Sequence, residues 1–203
     1  MQGGAYFDSE LGEHAAVAAA SREALRDGFV AMLEAWLATI RAGGKIMLFG
    51  NGGSAADAQH IATELTVRYS RNRAPIAAIA LTTDTSLLTA AGNDLGFETI
   101  FSRQVAALGR PGDLALAIST SGRSPNVLAA LRTARERGIT AAALTGGDAG
   151  LLPELAAPIL TVPSDRIPRI QEMHIALGHM LCGALELELG LVEAEQDRAL
   201  AWR

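Results

Sequence analysis

The chain has 203 residues, 49% of them apolar and 19% charged, with one cysteine and a formal net charge of −5. That balance suits one globular domain with a proper core; it excludes disordered and fibrous classes, an intramolecular disulfide framework and a Cys-rich metal site. A basic footprint for nucleic acid, a membrane span and a signal-peptide layout are all missing from the pattern, so the expectation is a soluble, cytoplasmic protein.

Residues 8–42 read as one or two helices, because Leu25, Phe29, Met32, Leu33, Trp36, Leu37 and Ile40 recur at helical spacing before Gly43 and Gly44 end the pattern. Five short apolar strands follow, at 45–49, 76–81, 113–118, 140–144 and 159–162. Helices are expected between them near 54–69, 85–92, 98–108, 125–138 and 149–156. A last long helix should run over about 168–189, with Ser164 or Asp165 near its start and Pro168 in its first turn. The alternation predicts an α/β fold with a five-stranded parallel sheet covered by helices on both faces. The lack of a repeat or composition break predicts a single domain over 1–203, with its core at about 30–191 and a short charged tail at 192–203. Lys45 is the single lysine among 17 basic residues, and it opens a strand, the wrong end of a parallel sheet for Schiff-base chemistry.

Ligands of open parallel sheets bind outside the carboxyl ends of the strands. After the first strand comes Gly50-Asn51-Gly52-Gly53-Ser54, running straight into a helix. Glycines let backbone approach a ligand and a helix start offers free N–H groups, which is a phosphate-binding arrangement. The bland alternative is a tight turn with Ser54 as N-cap. The third strand ends in Ser119, Thr120, Ser121 and Gly122, with Ser124 close behind, so hydroxyls and amides could hold a phosphate without lysine. A third segment, Gly92-Asn93-Asp94, offers amide and carboxylate groups to sugar hydroxyls, although the same residues are common turn chemistry. Hydroxyl-rich loops without lysine favour a sugar phosphate over a nucleotide, whose triphosphate would want lysine or Mg²⁺ ligands.

His60 and Glu64 are spaced i,i+4 on one helix face and could bind a metal or form an acid/base couple. Gln171, Glu172, His174 and His179 interrupt an otherwise apolar last helix, where polar groups need partners. Gln171 and His179 stand about 12 Å apart along that helix, at about 1.5 Å per residue. They could share one ion only at full stretch, so the site is expected to combine residues of different subunits.

The string from Gly50 to His60, followed by Glu64-Leu65-Thr66, resembles the sugar-isomerase (SIS) domain of phosphoheptose isomerases. The likeness continues through Gly92-Asn93-Asp94, Ile118 to Gly122 and Arg169 to His174, in the family's order and spacing. It implies a flavodoxin-like three-layer sandwich whose long terminal helices build a homotetramer with shared sites. It implies conversion of sedoheptulose 7-phosphate to D-glycero-D-manno-heptose 7-phosphate through an enediol, the first step towards the heptose of bacterial lipopolysaccharide. By that likeness one Zn²⁺ per subunit is held by His60, Glu64, Gln171 and His179. Asn51, Gly52, Gly53, Ser54, Glu64, Asn93, Asp94, Ser119, Thr120, Ser121, Ser124 and Gln171 line the substrate site, with Glu64 as base and His179 as acid. Pro168 departs from relatives that carry an acidic residue there; Asp165 stands nearby.

A rival reading is the related tetrameric, non-enzymatic regulator that associates with DnaA, towards which Ile79 to Asp84, Leu88 to Ala90 and Arg169 to His174 lean. That regulator lacks counterparts of Glu64 and His179, and both are present here. An SIS isomerase of another sugar phosphate is the third possibility, since one hydroxymethylene separates seven-carbon from six-carbon substrates.

Overall fold

The computed structural model describes residues 2–193. Two helices, α1 (Gln2–Ala24) and α2 (Arg26–Arg41), precede the sheet-forming core. The core runs β1 (Ile46–Gly50), α3 (Gly53–Thr66), β2 (Ala78–Ala80), α4 (Thr85–Asp94), α5 (Ser102–Leu108), β3 (Leu114–Ser119), α6 (Pro125–Glu136), β4 (Thr140–Gly146) and β5 (Ile159–Val162). Helix α7 (Ile167–Glu188) closes it.

All strand pairs are parallel and the sheet order is β2-β1-β3-β4-β5. The chain leaves β1 in one direction to make β2, then returns to add β3 on the other side. The reversal between β1 and β3 opens a crevice at their carboxyl ends, where Gly50 pairs with Ile118. Because side chains alternate along a strand, Ile46, Leu48, Leu116 and Leu144 face a layer that includes Trp36, Leu65 and Leu181. Met47, Phe49, Ala115 and Ala117 face the opposite layer, with Val105, Leu128 and Leu131. The expected five-stranded sheet between two helical layers is therefore present.

Several boundaries differ from expectation. The first helix starts at Gln2 rather than at residue 8, and the pair breaks at Leu25. The helix expected at 149–156 shrinks to a 3-10 turn at Leu152–Glu154. Gly147, Ala149 and Gly150 adopt positive φ of 60°, 60° and 58°, which uses up that span in turns, and Pro153 donates no N–H. The segment 98–108 splits into a 3-10 turn at Phe97–Thr99 and α5. The charged tail expected at 192–203 lies outside the described residues from position 194 onward.

Helix α1 buries little. Tyr6 and Phe7 are 68% and 62% exposed, while polar contacts tie the helix to the start of α7: the Arg166 guanidinium pairs with the Glu13 carboxylate, Arg169 donates to the Glu10 carbonyl, and His14 Nδ1 meets Glu172 at 2.8 Å. At the amino end of the sheet Lys45 Nζ meets Asp113 Oδ2 at 2.5 Å, far from the crevice, as its position at a strand start predicts. Among the described residues no helix is long and apolar enough to cross a membrane.

Candidate active site

The crevice is walled by the two loops that the glycines and hydroxyls mark. Gly50 lies so close to β3 that a Cβ there would sit 2.5 Å from the Ile118 carbonyl oxygen. Gly52, at φ +56° and ψ −121°, is the N-cap of α3 in a conformation that favours glycine. Ser54 is buried one residue inside the helix, so it is not the cap that a simple turn would place there. Asn51 and Asn126 exchange amide hydrogen bonds at 2.9 and 2.8 Å, which ties the β1 loop to the start of α6. Across the crevice the Ser119 hydroxyl accepts the Gly122 N–H at 3.2 Å and the Ser121 hydroxyl accepts the Arg123 N–H at 3.3 Å. Ser124 caps α6 without a side-chain cap bond. Two helix starts thus point at one crevice, the geometry that attracts an anion.

Helices α3 and α7 run side by side in the same direction. Gln171 packs on Gly53, where a Cβ would stand 2.4 Å from its amide nitrogen, and Gly178 receives Ile61 in the same way at 2.5 Å. This register brings His60 onto His179. Their Nε2 atoms are 2.8 Å apart and their rings meet edge to face, with centroids 5.0 Å apart. Glu64 Oε1 lies 3.4 Å from His60 Nε2, and the three ligand atoms fall within 4.8 Å of one another. Tyr69 leans over the back of His179 with ring centroids 5.6 Å apart, and a cleft of about 620 Å³ opens beside both.

Two imidazoles and a carboxylate are a donor set that zinc takes, with one position left for water or substrate. Zinc–nitrogen bonds of about 2.0–2.1 Å in a tetrahedron put ligand atoms roughly 3.3 Å apart, so a half-ångström opening of the histidine pair admits an ion. The donor chemistry fits. Gln171, the fourth expected ligand, lies against Gly53, about 10 Å along α3 from His60. Asn93 and Asp94 stand in the last turn of α4 rather than in a loop, exposed and bonded to each other at 2.7 Å.

Three titratable groups line this helix pair. The Asp57 carboxyl is pushed up to about 6 by burial, opposed by the charge of nearby His60, and its Oδ2 has no hydrogen-bond partner. His174 is fully buried and donates from Nε2 to the Thr145 carbonyl at 3.1 Å; burial pulls its pKa down to about 4. Burial pushes the Cys182 thiol up to about 12, assisted by the charges of Glu64 and Glu186. Sequence reasoning assigned no role to Asp57, Tyr69 or Arg73. For Asp57 a signal existed, since it stands three residues before His60 on the same helix.

The sequence profile of the SIS domain matches residues 11–146, and the chain belongs to the SIS-domain family. The phosphoheptose isomerase of Paramagnetospirillum magneticum is 54% identical over 186 residues, which are 92% of this chain and 97% of that one. A solved phosphoheptose isomerase from Neisseria gonorrhoeae superposes with a TM-score of 0.84 at 43% identity, covering 89% of this chain and 97% of its own. Its counterpart from Francisella tularensis gives 0.87 at 37% identity, covering 91% and 98%. Within its family the chain therefore falls among the phosphoheptose isomerases.

Proposed function

We propose that this protein is an aldose–ketose isomerase that converts sedoheptulose 7-phosphate to D-glycero-D-manno-heptose 7-phosphate, the entry to heptose precursors of lipopolysaccharide. The observation that carries the reading is the His60–Glu64–His179 cluster, on the helix that opens at the glycine- and hydroxyl-lined crevice, in a chain 54% identical to a phosphoheptose isomerase.

The chemistry follows from these residues. The crevice loops hold the phosphate through main-chain N–H groups and the hydroxyls of Ser119, Thr120, Ser121 and Ser124. Ser54, Asn93, Asp94 and Gln171 are assigned to the substrate chain. Glu64, as carboxylate, removes a proton from C1 of the ketose. The C1–H electron pair becomes the C1–C2 double bond, and the C2 oxygen takes a proton from His179, giving the enediol. In the second half His179 recovers a proton from the C1 oxygen while Glu64 returns its proton to C2, so the aldose forms with no net change in either residue. A zinc ion held by His60, Glu64 and His179 of one subunit, with Gln171 supplied by another subunit, would polarise the carbonyl and stabilise the enediolate. A carboxylate has two oxygens, so Glu64 can serve as ligand through one and as base through the other.

Subunit sharing is part of this reading. The exposed apolar side chains of α1, and the apolar groove where Phe29, Val30, Leu177 and Met180 meet, support a homotetramer built on the terminal helices. The whole chain, 1–203, is then one cytoplasmic SIS domain per subunit.

The test is turnover of sedoheptulose 7-phosphate with zinc, after chelation and after zinc is returned, beside a DnaA pull-down. Zinc-dependent isomerisation without DnaA capture is expected. DnaA binding without turnover would establish the regulator reading instead.

A further inference from the structure

We propose that Arg73 is a positioning residue for the isomerisation, holding Glu64 and His179 in register through a buried ion pair with Glu186; the assignment rests on the isomerase reading above. The last carbonyls of a helix have no partner within it, and α3 ends only two residues after Glu64. The Arg73 guanidinium reaches back to those carbonyls. Nη2 donates to the Glu64 carbonyl at 2.7 Å, and Nη1 donates to Leu65 at 2.7 Å and to Ala74 at 3.0 Å. Its Nε donates to Glu186 Oε1 at 2.8 Å, with both side chains 1% exposed.

The same Glu186 oxygen accepts the Tyr69 N–H at 3.1 Å. Tyr69 in turn lies over Gly183, where a Cβ would stand 3.1 Å from its ring, and against His179. One carboxylate oxygen thus joins the end of α3, the residue that backs His179, and α7 itself. Glu186 follows His179 by seven residues, two turns of one helix face.

A purely structural ion pair is the simpler account, and it makes a different prediction. Buried pairs are often replaceable by apolar side chains of similar volume without loss of stability. If Arg73 only fills space, such a replacement leaves the chemistry intact. If it positions, the replacement spares folding and costs rate, because a displacement of about 1 Å can cost roughly 10²-fold.

The experiment compares wild type with Arg73→Lys, which keeps the charge but loses the fork, and with the double variant Arg73→Met, Glu186→Leu. Each is assayed with sedoheptulose 7-phosphate, and the imidazole ¹⁵N resonances are recorded on metal-free protein. The double variant should still fold, with a lowered unfolding temperature because the Glu64 carbonyl and the Tyr69 N–H lose partners, keep KM within about twofold and lose roughly 30- to 100-fold in kcat. Arg73→Lys, the gentler change should the double variant fail to fold, should lose roughly tenfold in kcat. The His60 and His179 resonances should move in both while that of His14 stays. A folded variant with wild-type kcat, or a loss carried by KM, overturns the proposal. Unmoved His60 and His179 resonances overturn it even if wild type itself turns over no heptose phosphate, an outcome that would count against the isomerase reading.

Discussion

The cradle at the carboxyl ends of β1 and β3 is made of main chain, whereas the cluster between α3 and α7 is made of side chains from residues 119 positions apart. Each wall of the cradle is contiguous in the chain, glycines before α3 and hydroxyls before α6, and the β1–β3 pairing with the Asn51–Asn126 bonds brings the walls together. The cluster needs two helices held in parallel at one register. A one-residue slip of α7 would rotate His179 by about 100° away from His60. Phosphate binding is thus proposed to draw on two contiguous loops and proton transfer on the packing of two helices, and perturbations of the two should separate in KM and kcat.

The sharpest break in that comparison is Glu64→Gln, which removes the proposed base and leaves the cradle untouched. Turnover should fall at least about 10³-fold while the oligomer, measured by light scattering, is unchanged. Near-normal turnover would remove Glu64 from the chemistry.

Next in size is an acid-linked loss of stability centred on His174. Its folded pKa of about 4 lies below the ordinary 6.5, so the unfolded chain binds more protons between those values. Stability from this group is full above pH 6.5 and is lost as pH falls towards 4, by about 3 kcal/mol. Asp57 acts in the opposite sense, because its raised pKa of about 6 makes stability fall as pH rises from 3.8 to 6. The difference between wild type and His174→Gln in urea unfolding at pH 4.0 and 7.0 isolates the histidine. Parallel pH dependence in the two proteins would show that His174 does not carry the effect.

The smallest expected effect probes the seam between the two regions. In Gly53→Ala the new methyl group would meet the Gln171 amide at 2.4 Å, and that flexible side chain must swing aside. KM for the sugar phosphate should rise about tenfold, equivalent to about 1.4 kcal/mol, with kcat changed less. A fall confined to kcat would place Gln171 with the cluster instead.

The five strands were readable because each is a short apolar run bounded by turn residues, and the crevice loops because their chemistry is contiguous in the chain. Residues 149–156 misled because Leu151, Leu152 and Leu155 imitate helical spacing across a stretch whose glycines turn the backbone positive. Gly92, Asn93 and Asp94 looked like a turn although they finish α4, where such residues also end helices. His60 and Glu64 declared themselves by i,i+4 spacing. The meeting of His60 with His179 was legible only through the family resemblance, since no spacing shows it and it depends on Gly178 admitting Ile61. The Arg73–Glu186 pair was equally silent, since a charge 113 residues from its partner looks like any solvated residue.

Cys182 carries a consequence for handling the protein. It is fully buried on α7 and burial pushes its thiol up to about 12, so the thiolate is scarce at neutral pH. The chain's single sulfhydryl is therefore chemically quiet, resistant both to alkylation and to peroxide. A new cysteine introduced on α6 at the exposed Arg132 position, away from the terminal helices, would take up a maleimide probe in preference to Cys182, which makes the native protein a low-background scaffold for site-specific labelling.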